Sequence, residues 1–128
     1  MKANFSITVD VDRDLVRMTM SGFFDAADVA RFVAERDRAH TLLRSRPNQH
    51  ITLVDMRAME IQSQENVARF QVALHKPATM SRRIAFVIAK SLARIQIRRA
   101  AEGREAGYFM SMEEAEAWLF SSEPAIAA

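Results

Sequence analysis

The chain has 128 residues, no cysteine, and 18 basic against 16 acidic side chains, which gives a formal net charge of +2. A chain of this length buries about two-thirds of its unfolded surface, which is enough for one ordinary hydrophobic core. The lack of cysteine excludes disulfide frameworks, thiolate zinc sites, iron–sulfur clusters and thiol nucleophiles. The small net charge does not indicate nucleic-acid binding.

No targeting or membrane segment is visible in the pattern. Residues 1–14 alternate polar and apolar side chains and lack the apolar run of a secretory signal. No segment approaches the roughly 20 apolar residues of a membrane span. We expect a soluble, cytoplasmic protein with one domain over residues 1–120 and a flexible tail over residues 121–128.

The first third of the chain predicts a β-hairpin and a helix. Apolar residues alternate with polar ones over residues 5–11 and again over residues 15–21, the period of half-buried strands. Asp25 then stands at an N-cap position, where its carboxylate accepts from free backbone N–H groups. The helix is expected from Ala26 to about Arg46, with the aliphatic part of Arg36 on its inward face.

The remaining chain alternates strands and helices. Three further strands are expected, over residues 51–55, 83–89 and 106–110. Ser63, Ser91 and Ser111 are expected to cap the helices that follow them. In the helix after Ser91, the pattern places Leu92, Ile95 and Gln96 inward and the arginines outward.

The element order β-β-α-β-α-β-α-β-α requires parallel strands joined by right-handed crossovers. The predicted fold is therefore α/β, with a leading β-hairpin, then βα units, and a mixed, mostly parallel five-stranded sheet.

Four segments of the chain are similar to a bacterial family. They are Gly22-Phe23, Leu53-Val54-Asp55, residues 61–65 (IQSQE) and residues 91–96 (SLARIQ). Together with the element order, they resemble the SpoIIAA-like or STAS-like domains, in the single-domain branch described as STAS/SEC14-like. The resemblance covers residues 5–119. It implies parallel strands in sequence order, helices wound as a superhelix along the sheet, and no enzymatic activity.

The resemblance also raises the question of phosphorylation. In anti-sigma-factor antagonists of this family, a partner kinase phosphorylates a serine in an Asp-Ser-Ser-Gly turn after the strand that ends in aspartate. Counted from Asp55, the phosphoacceptor position here holds Gln64, the glycine is absent, and Ser63 is one position out of register. We therefore interpret Ser63 as a helix cap, worth about 1 kcal/mol, rather than as a phosphosite.

No pattern typical of a catalytic or cofactor site occurs. His40, His50 and His75 are far apart in sequence, and none has a histidine four residues away. The chain lacks HExxH, Gly-x-Ser-x-Gly and phosphate-loop patterns, and its three glycines cannot build a dinucleotide-binding turn. The sequence predicts no enzyme activity, no metal site and no cofactor, with structural or exposed histidines.

The carboxyl ends of the predicted parallel strands are where α/β sheets bind ligands. Ser91 opens a helix whose N–H groups can receive an anion, with basic side chains within one turn. The predicted ligand or anion site therefore consists of Asp55, Arg57, Lys90, Ser91, Arg94 and Arg98. Alternatively, Asp55 forms a structural ion pair with Arg57 or Lys90.

Charge is unevenly distributed in the second half. Residues 82–104 contain seven basic side chains and one acidic one, whereas residues 105–128 contain five acidic and no basic side chains. Lys90, Arg94 and Arg98 are spaced four apart and so form one basic stripe, whose members repel by about a few tenths of a kcal/mol per pair. This repulsion is relieved either by an anionic partner or by the closing helix, through Glu113, Glu114 and Glu116.

Methionine and phenylalanine are abundant, with eight residues of each. They fill ordinary cores more often than ligand cavities, but a hydrophobic cavity, which the SEC14-like resemblance implies, would use them well. Phe24, Met59 and Phe120 lie at element ends and are alternatively expected on a self-association surface. We also expect a homodimer, because helices on one face of the sheet would leave the other face bare.

The leading hypothesis is a non-catalytic regulatory or protein-interaction module whose arginine face meets an acidic partner. It depends on the family resemblance and on the lack of a nucleophile, base and metal arrangement. The alternative is a carrier or sensor for a small lipophilic or anionic ligand.

Overall fold

A computed structural model describes residues 2–89 and 91–121. Within these ranges it contains five strands and four α-helices. In chain order they are β1 (Asn4–Asp10), β2 (Leu15–Gly22), α1 (Ala26–His40), β3 (Ile51–Met59), α2 (Gln64–Leu74), β4 (Arg83–Val87), α3 (Ser91–Ala100), β5 (Ala106–Phe109) and α4 (Met112–Leu119). Most of the predicted tail, from residue 122 on, and Lys90 lie outside the described residues.

The strands form one sheet in the order β1-β2-β3-β4-β5. β1 and β2 pair antiparallel, and every later pair is parallel. The predicted α/β class, the leading hairpin and the mixed, mostly parallel sheet are confirmed. No helix of the described residues has the length and apolar character needed to cross a membrane.

Helices cover both faces of the sheet, so the expectation of helices on one face was wrong. Buried side chains of β2, β3 and β4 such as Met18, Val54 and Phe86 face the three helices α1, α2 and α3. Right-handed crossovers place these three helices on the same side, because the sheet grows in one direction. No such rule constrains α4, which follows the last strand and packs on the other face against Leu53 and Val87.

The outer part of that second face is polar. Beyond α4, the alternate residues of β1 and β2 are exposed or half-buried hydrophilic side chains: Ser6, Thr8, Arg17 and Thr19. The bare apolar face from which we predicted a homodimer is therefore not present.

β3 contains a bulge that changes the face of the sheet to which its last side chains point. Thr19 pairs with Asp55 and Ser21 pairs with Ala58, so β3 has one residue more than β2 in this interval. As a result Met56 and Met59 both point towards the three helices, and both are buried. Met59 is thus unavailable for the predicted self-association surface.

Phe24 is also buried, because its ring packs against those of Phe5 and Phe70, with centroids 6.3 Å and 5.6 Å away. Of the three residues predicted for self-association, Phe120 is exposed.

The starts of α1, α2 and α4 follow the predicted caps Asp25, Ser63 and Ser111, whereas the predicted cap Ser91 lies inside α3. One helix end also differs. Asp25 forms a reciprocal capping box with Asp28 at the start of α1. α1 ends at His40 and not near Arg46, because the backbone N–H and the hydroxyl of Thr41 both donate to the Arg38 carbonyl. That carbonyl would otherwise accept from the next helical turn.

α3 turns a largely different face to the core from the one predicted, although Gln96 is half-buried as expected. Its buried residues are Ala93 and Ala100, whereas Leu92 and Ile95 are exposed. The small alanines share a face with the half-buried Ile97, and they let the helix backbone approach α2 and the sheet closely. The helix begins at Ser91 itself, so this serine is the first helical residue.

Candidate functional site

The predicted site residues separate into distinct groups in the structure. Arg57 lies beside Asp55 and forms two parallel bonds to its carboxylate, both 2.9 Å long, from Nε to Oδ1 and from Nη2 to Oδ2. Hydrogen bonding from Arg57 holds the pKa of Asp55 below its usual value. This contact is the structural ion pair that the sequence analysis gave as the alternative to a ligand site. Because each side chain neutralises the other, the pair offers little free charge to a ligand.

Ser91 and Arg94 come together at the carboxyl ends of β4 and β5. They line a shallow pocket with Ile88, Ala89, Phe109 and Met110. The volume of the pocket is about 70 Å³. Lys90, the remaining member of the predicted group at this position, lies outside the described residues.

Arg98 belongs to neither group. Its guanidinium lies over the ring of Tyr108, 4.7 Å from the centroid. Burial raises the pKa of the Tyr108 hydroxyl, while the positive charge of Arg98 opposes that rise.

The closing helix does not relieve the repulsion between the described members of the basic stripe, Arg94 and Arg98. Glu116 accepts a 2.7 Å hydrogen bond from Arg17 on β2, because α4 lies on the opposite face of the sheet from α3. Arg94, Arg98 and Arg99 form no salt bridge with any residue that the structure describes. Relief by α4, one of the two alternatives from sequence, is therefore wrong.

The solvent-exposed side of α3 combines these arginines with apolar side chains. Leu92 is 61% exposed and Ile95 is 56% exposed. With 100° between successive residues, Ile95 lies between Arg98 and Arg99 on the helix surface. We call the set Leu92, Arg94, Ile95, Arg98 and Arg99 the α3 surface.

A cavity lies on the other side of α3, between the sheet and the three helices. Its volume is about 80 Å³, several times what one water molecule needs. Its walls are mostly apolar: Met18, Met20, Phe32, Val54, Met56, Met59, Val67, Phe70, Ile84, Phe86 and Ile97.

One end of the cavity, at the amino ends of the strands, is basic. Arg36 of α1 lines it and is only 5% exposed. Its Nη1 donates to the Ala73 carbonyl over 2.6 Å, and its Nη2 donates to Asp37 over 3.3 Å. The buried Nε has no hydrogen-bond partner among the described residues.

Arg104 lines the same end of the cavity. Its Nη1 donates to the Leu74 carbonyl, and its Nη2 donates to the Ser81 carbonyl at 3.0 Å. Burial and the charge of Arg36 lower the pKa of Arg104. Both arginines thus bind carbonyl groups at the end of α2, a helix without a basic residue in its own last turn.

A histidine pair lies beside these arginines. The Nδ1 of His40 lies 2.7 Å from the Arg36 carbonyl, which can only accept, so Nδ1 carries the proton. The two Nε2 atoms of His40 and His50 are 3.0 Å apart, so the neutral His40 accepts from His50. Burial, assisted by His40, lowers the pKa of His50 to about 4.

The opposite end of the cavity is lined by two glutamines that bond each other, and by Glu60. The backbone N–H of Gln62 donates to Gln96 Oε1 at 2.8 Å, and Gln96 Nε2 donates to the Gln62 carbonyl at 2.7 Å. The Gln62 amide also bonds the backbone of Gly22 and Phe24. Next to this pair of glutamines, Ser63 Oγ accepts from the Asn66 backbone N–H at 3.1 Å and caps α2.

Sequence reasoning missed the basic end of the cavity. The histidines are far apart in sequence, but the loop after α1 brings His50 back to His40. One signal was visible, namely an arginine at position 36 on the apolar face of a predicted helix. The described residues contain no group of three histidine, cysteine, aspartate or glutamate side chains that could hold a metal.

Comparison with known proteins establishes the fold. No protein-family model and no curated protein matches the sequence. An uncharacterised protein of the DUF3478 family from Shewanella loihica, with a SpoIIAA-like fold, aligns at a TM-score of 0.71 and 15% identity, over 93% of this chain and 96% of that one. An anti-sigma factor antagonist from Mycobacterium paratuberculosis aligns at 0.63 and 11% identity, over 92% and 96%. The chain has the SpoIIAA-like, STAS-type fold that the sequence predicted.

Proposed function

We propose that this chain is a single-domain (residues 1–120), cytoplasmic, non-catalytic regulatory module of the STAS-like type. In this proposal it binds an acidic partner protein through the α3 surface. One observation carries the proposal: Leu92 and Ile95 are more than half exposed beside three arginines that lack a carboxylate partner among the described residues.

The α3 surface has the composition of a protein-binding site. Interfaces are enriched in arginine, and their centres are apolar and depleted in other charged residues. Exposed leucine and isoleucine gain free energy when a partner buries them, and the arginines around them favour carboxylates on that partner.

The fold supports a regulatory role as well. The structural neighbour from M. paratuberculosis is an anti-sigma factor antagonist, so a protein with this fold acts in regulation. The Asp55–Arg57 ion pair leaves neither side chain free at the rim, which favours α3 over the strand ends as the binding surface.

Affinity capture from native lysate at two salt concentrations tests the proposal. The bait variant Arg94→Glu with Arg98→Glu reverses the surface charge, and Arg38→Glu with Arg44→Glu makes the same charge change at exposed positions elsewhere. We expect an acidic partner that the wild type and the second variant retain, that the first variant loses, and that high salt weakens. Turnover of a substrate in an activity screen, without any captured partner, would contradict the proposal.

The cavity favours a second candidate function, a carrier or sensor of a small lipophilic or anionic ligand. Its apolar walls and its basic end are the observations behind this candidate. Native mass spectrometry of gently purified protein distinguishes the two functions, because a carrier retains an adduct and an interaction module does not.

Homodimer formation remains a proposal, although the bare sheet face that suggested it is not present. The exposed Phe23 and Phe120 are candidates for such a contact. Light scattering at micromolar concentration that detects only monomers would contradict it.

A further inference from the structure

We propose that the cavity binds a single-chain amphipathic anion, a fatty carboxylate. Its carboxylate would contact Arg36 and Arg104, and its alkyl chain would run along β3 towards Met59. This inference deepens the second candidate function, the carrier, by naming the chemical class of the ligand.

The positive charge at the basic end of the cavity favours an anionic ligand. Two guanidinium groups line the cavity there, and guanidinium groups in proteins carry a positive charge. The nearby Asp37 is shared, because it also accepts from Lys76 over 3.0 Å. The histidine pair is neutral at that pH, since the pKa of both rings is lowered by burial. A second carboxylate, Asp14, acts on His50, but Asp14 and Asp37 are only half-buried. The charges that line the cavity at this end are therefore the positive charges of the two arginines.

The donor geometry suits a carboxylate. Arg36 is buried and uses its two Nη atoms on protein acceptors, but its Nε has no partner among the described residues. An unsatisfied buried donor costs about 1–3 kcal/mol, which a ligand oxygen would offset. Guanidinium groups bind carboxylates better than they bind alcohols, because the bond is charge-assisted.

The walls beyond the arginines suit an alkyl chain. Thr52 and Met59 of β3 both line the cavity, and a strand rise of about 3.3 Å per residue separates them by roughly 20 Å. The wall between them is formed by Val54 and Met56 together with phenylalanines from the helices. The flexible methionines can adjust to a chain of variable length.

The bulge in β3 contributes to this path. Without it, Met59 would point to the other face of the sheet, and the far end of the cavity would lose its apolar wall. The bulge and the two arginines thus define the two ends of one amphipathic site.

Titration calorimetry with decanoate tests the inference on the wild-type protein. Decan-1-ol and decyltrimethylammonium carry the same tail with a neutral or positive head, and acetate carries the head alone. We expect 1:1 binding of decanoate and binding of each control that is weaker by roughly tenfold or more. Decan-1-ol binding as tightly as decanoate would overturn the assignment of a carboxylate head.

Variants locate the site. Arg104→Gln should weaken decanoate binding by roughly tenfold or more, whereas Arg38→Gln, on the exposed side of α1, should leave it unchanged. If Arg104→Gln fails to fold, Ala93→Leu gives an independent test, because it fills the cavity from α3 and should block decanoate without lowering the melting temperature. Undiminished decanoate binding in Ala93→Leu would overturn the site.

The outcomes also separate this inference from the carrier function. A retained neutral or cationic adduct in native mass spectrometry would keep the carrier function and overturn the anionic ligand. Absence of any adduct, together with no binding of decanoate or decan-1-ol, would overturn both. Neither result affects partner binding by the α3 surface, which lies on the opposite side of α3.

Discussion

Two groups of arginines in this protein differ in their burial and in their hydrogen-bond partners. Arg36 and Arg104 line the cavity and donate to backbone carbonyls at the end of α2. Arg94 and Arg99 are exposed on the α3 surface and form no ion pair with any described residue. The comparison shows that burial directs most donors of an arginine to acceptors within the fold, whereas exposure leaves them available to a partner protein.

The buried group also shows how a helix end is satisfied without its own residues. α2 has no basic side chain in its last turn, and the donors come from α1 and from the loop after α3. Arg83 does the same for α4, since its Nη1 donates to the Trp118 carbonyl at 2.9 Å. Buried arginines therefore connect helix ends to distant parts of the chain.

The largest expected effect comes from the buried group. Arg36→Met keeps most of the aliphatic volume but removes the donor to the Ala73 carbonyl, so we expect a loss of about 2–4 kcal/mol in the free energy of unfolding. Arg38→Met, two residues further on and exposed, should cost less than about 0.5 kcal/mol. Urea denaturation of both variants measures the difference, and equal losses would contradict the distinction between the two groups.

The histidine pair next to the buried arginines predicts a pH dependence. Unfolded His50 takes up a proton as the pH falls through about 6.5, whereas the folded residue stays neutral until its pKa of about 4. The unfolded state then binds more protons, so stability should fall by about 1–2 kcal/mol between pH 7.5 and pH 5.

His50→Gln provides the control for this pH effect. Glutamine can still donate to His40 but cannot titrate, so the variant should lose much less stability over the same interval. Denaturation curves at both pH values and at two salt concentrations measure it. An identical pH dependence in the variant and the wild type would assign the effect to other groups.

The smallest expected effects lie on the α3 surface. Arg94→Ala should change the free energy of unfolding by less than about 0.5 kcal/mol. Arg98→Ala should cost about 0.5–1 kcal/mol, because it removes the contact with the Tyr108 ring. Thermal denaturation of the two variants side by side shows which substitution lowers stability more. A greater loss of stability for Arg94→Ala than for Arg98→Ala would contradict the structural role that we assign to Arg98.

The element order could be read from the sequence because it depends on local patterns. Period-2 alternation gives the hairpin, and Asp25, Ser63 and Ser111 cap their helices through bonds to residues three positions away. The face of α3 could not be read in the same way. Two overlapping apolar sets were available there, and only packing against α2 and the sheet selects the alanines.

The candidate site was predicted only in part for the same reason. The carboxyl ends of the strands follow from topology, and Ser91 and Arg94 line one pocket there. Their binding of a ligand stays a prediction. The cavity joins α1, β3, α2 and the loop after α3, which are separated by tens of residues. Its basic end requires Arg36 and Arg104 to meet, and no local pattern contains both.

Sequence by itself determined the α/β class, the parallel order of the strands and the starts of α1, α2 and α4, because each depends on interactions within a few residues or on the handedness of crossovers. Tertiary structure decided three other features: the position of α4 on the second face, the inward turn of Met59 at the bulge, and the burial of two arginines beside a histidine pair. These depend on contacts between distant segments, and the free energy of such contacts comes from packing and desolvation, which no short stretch of sequence specifies.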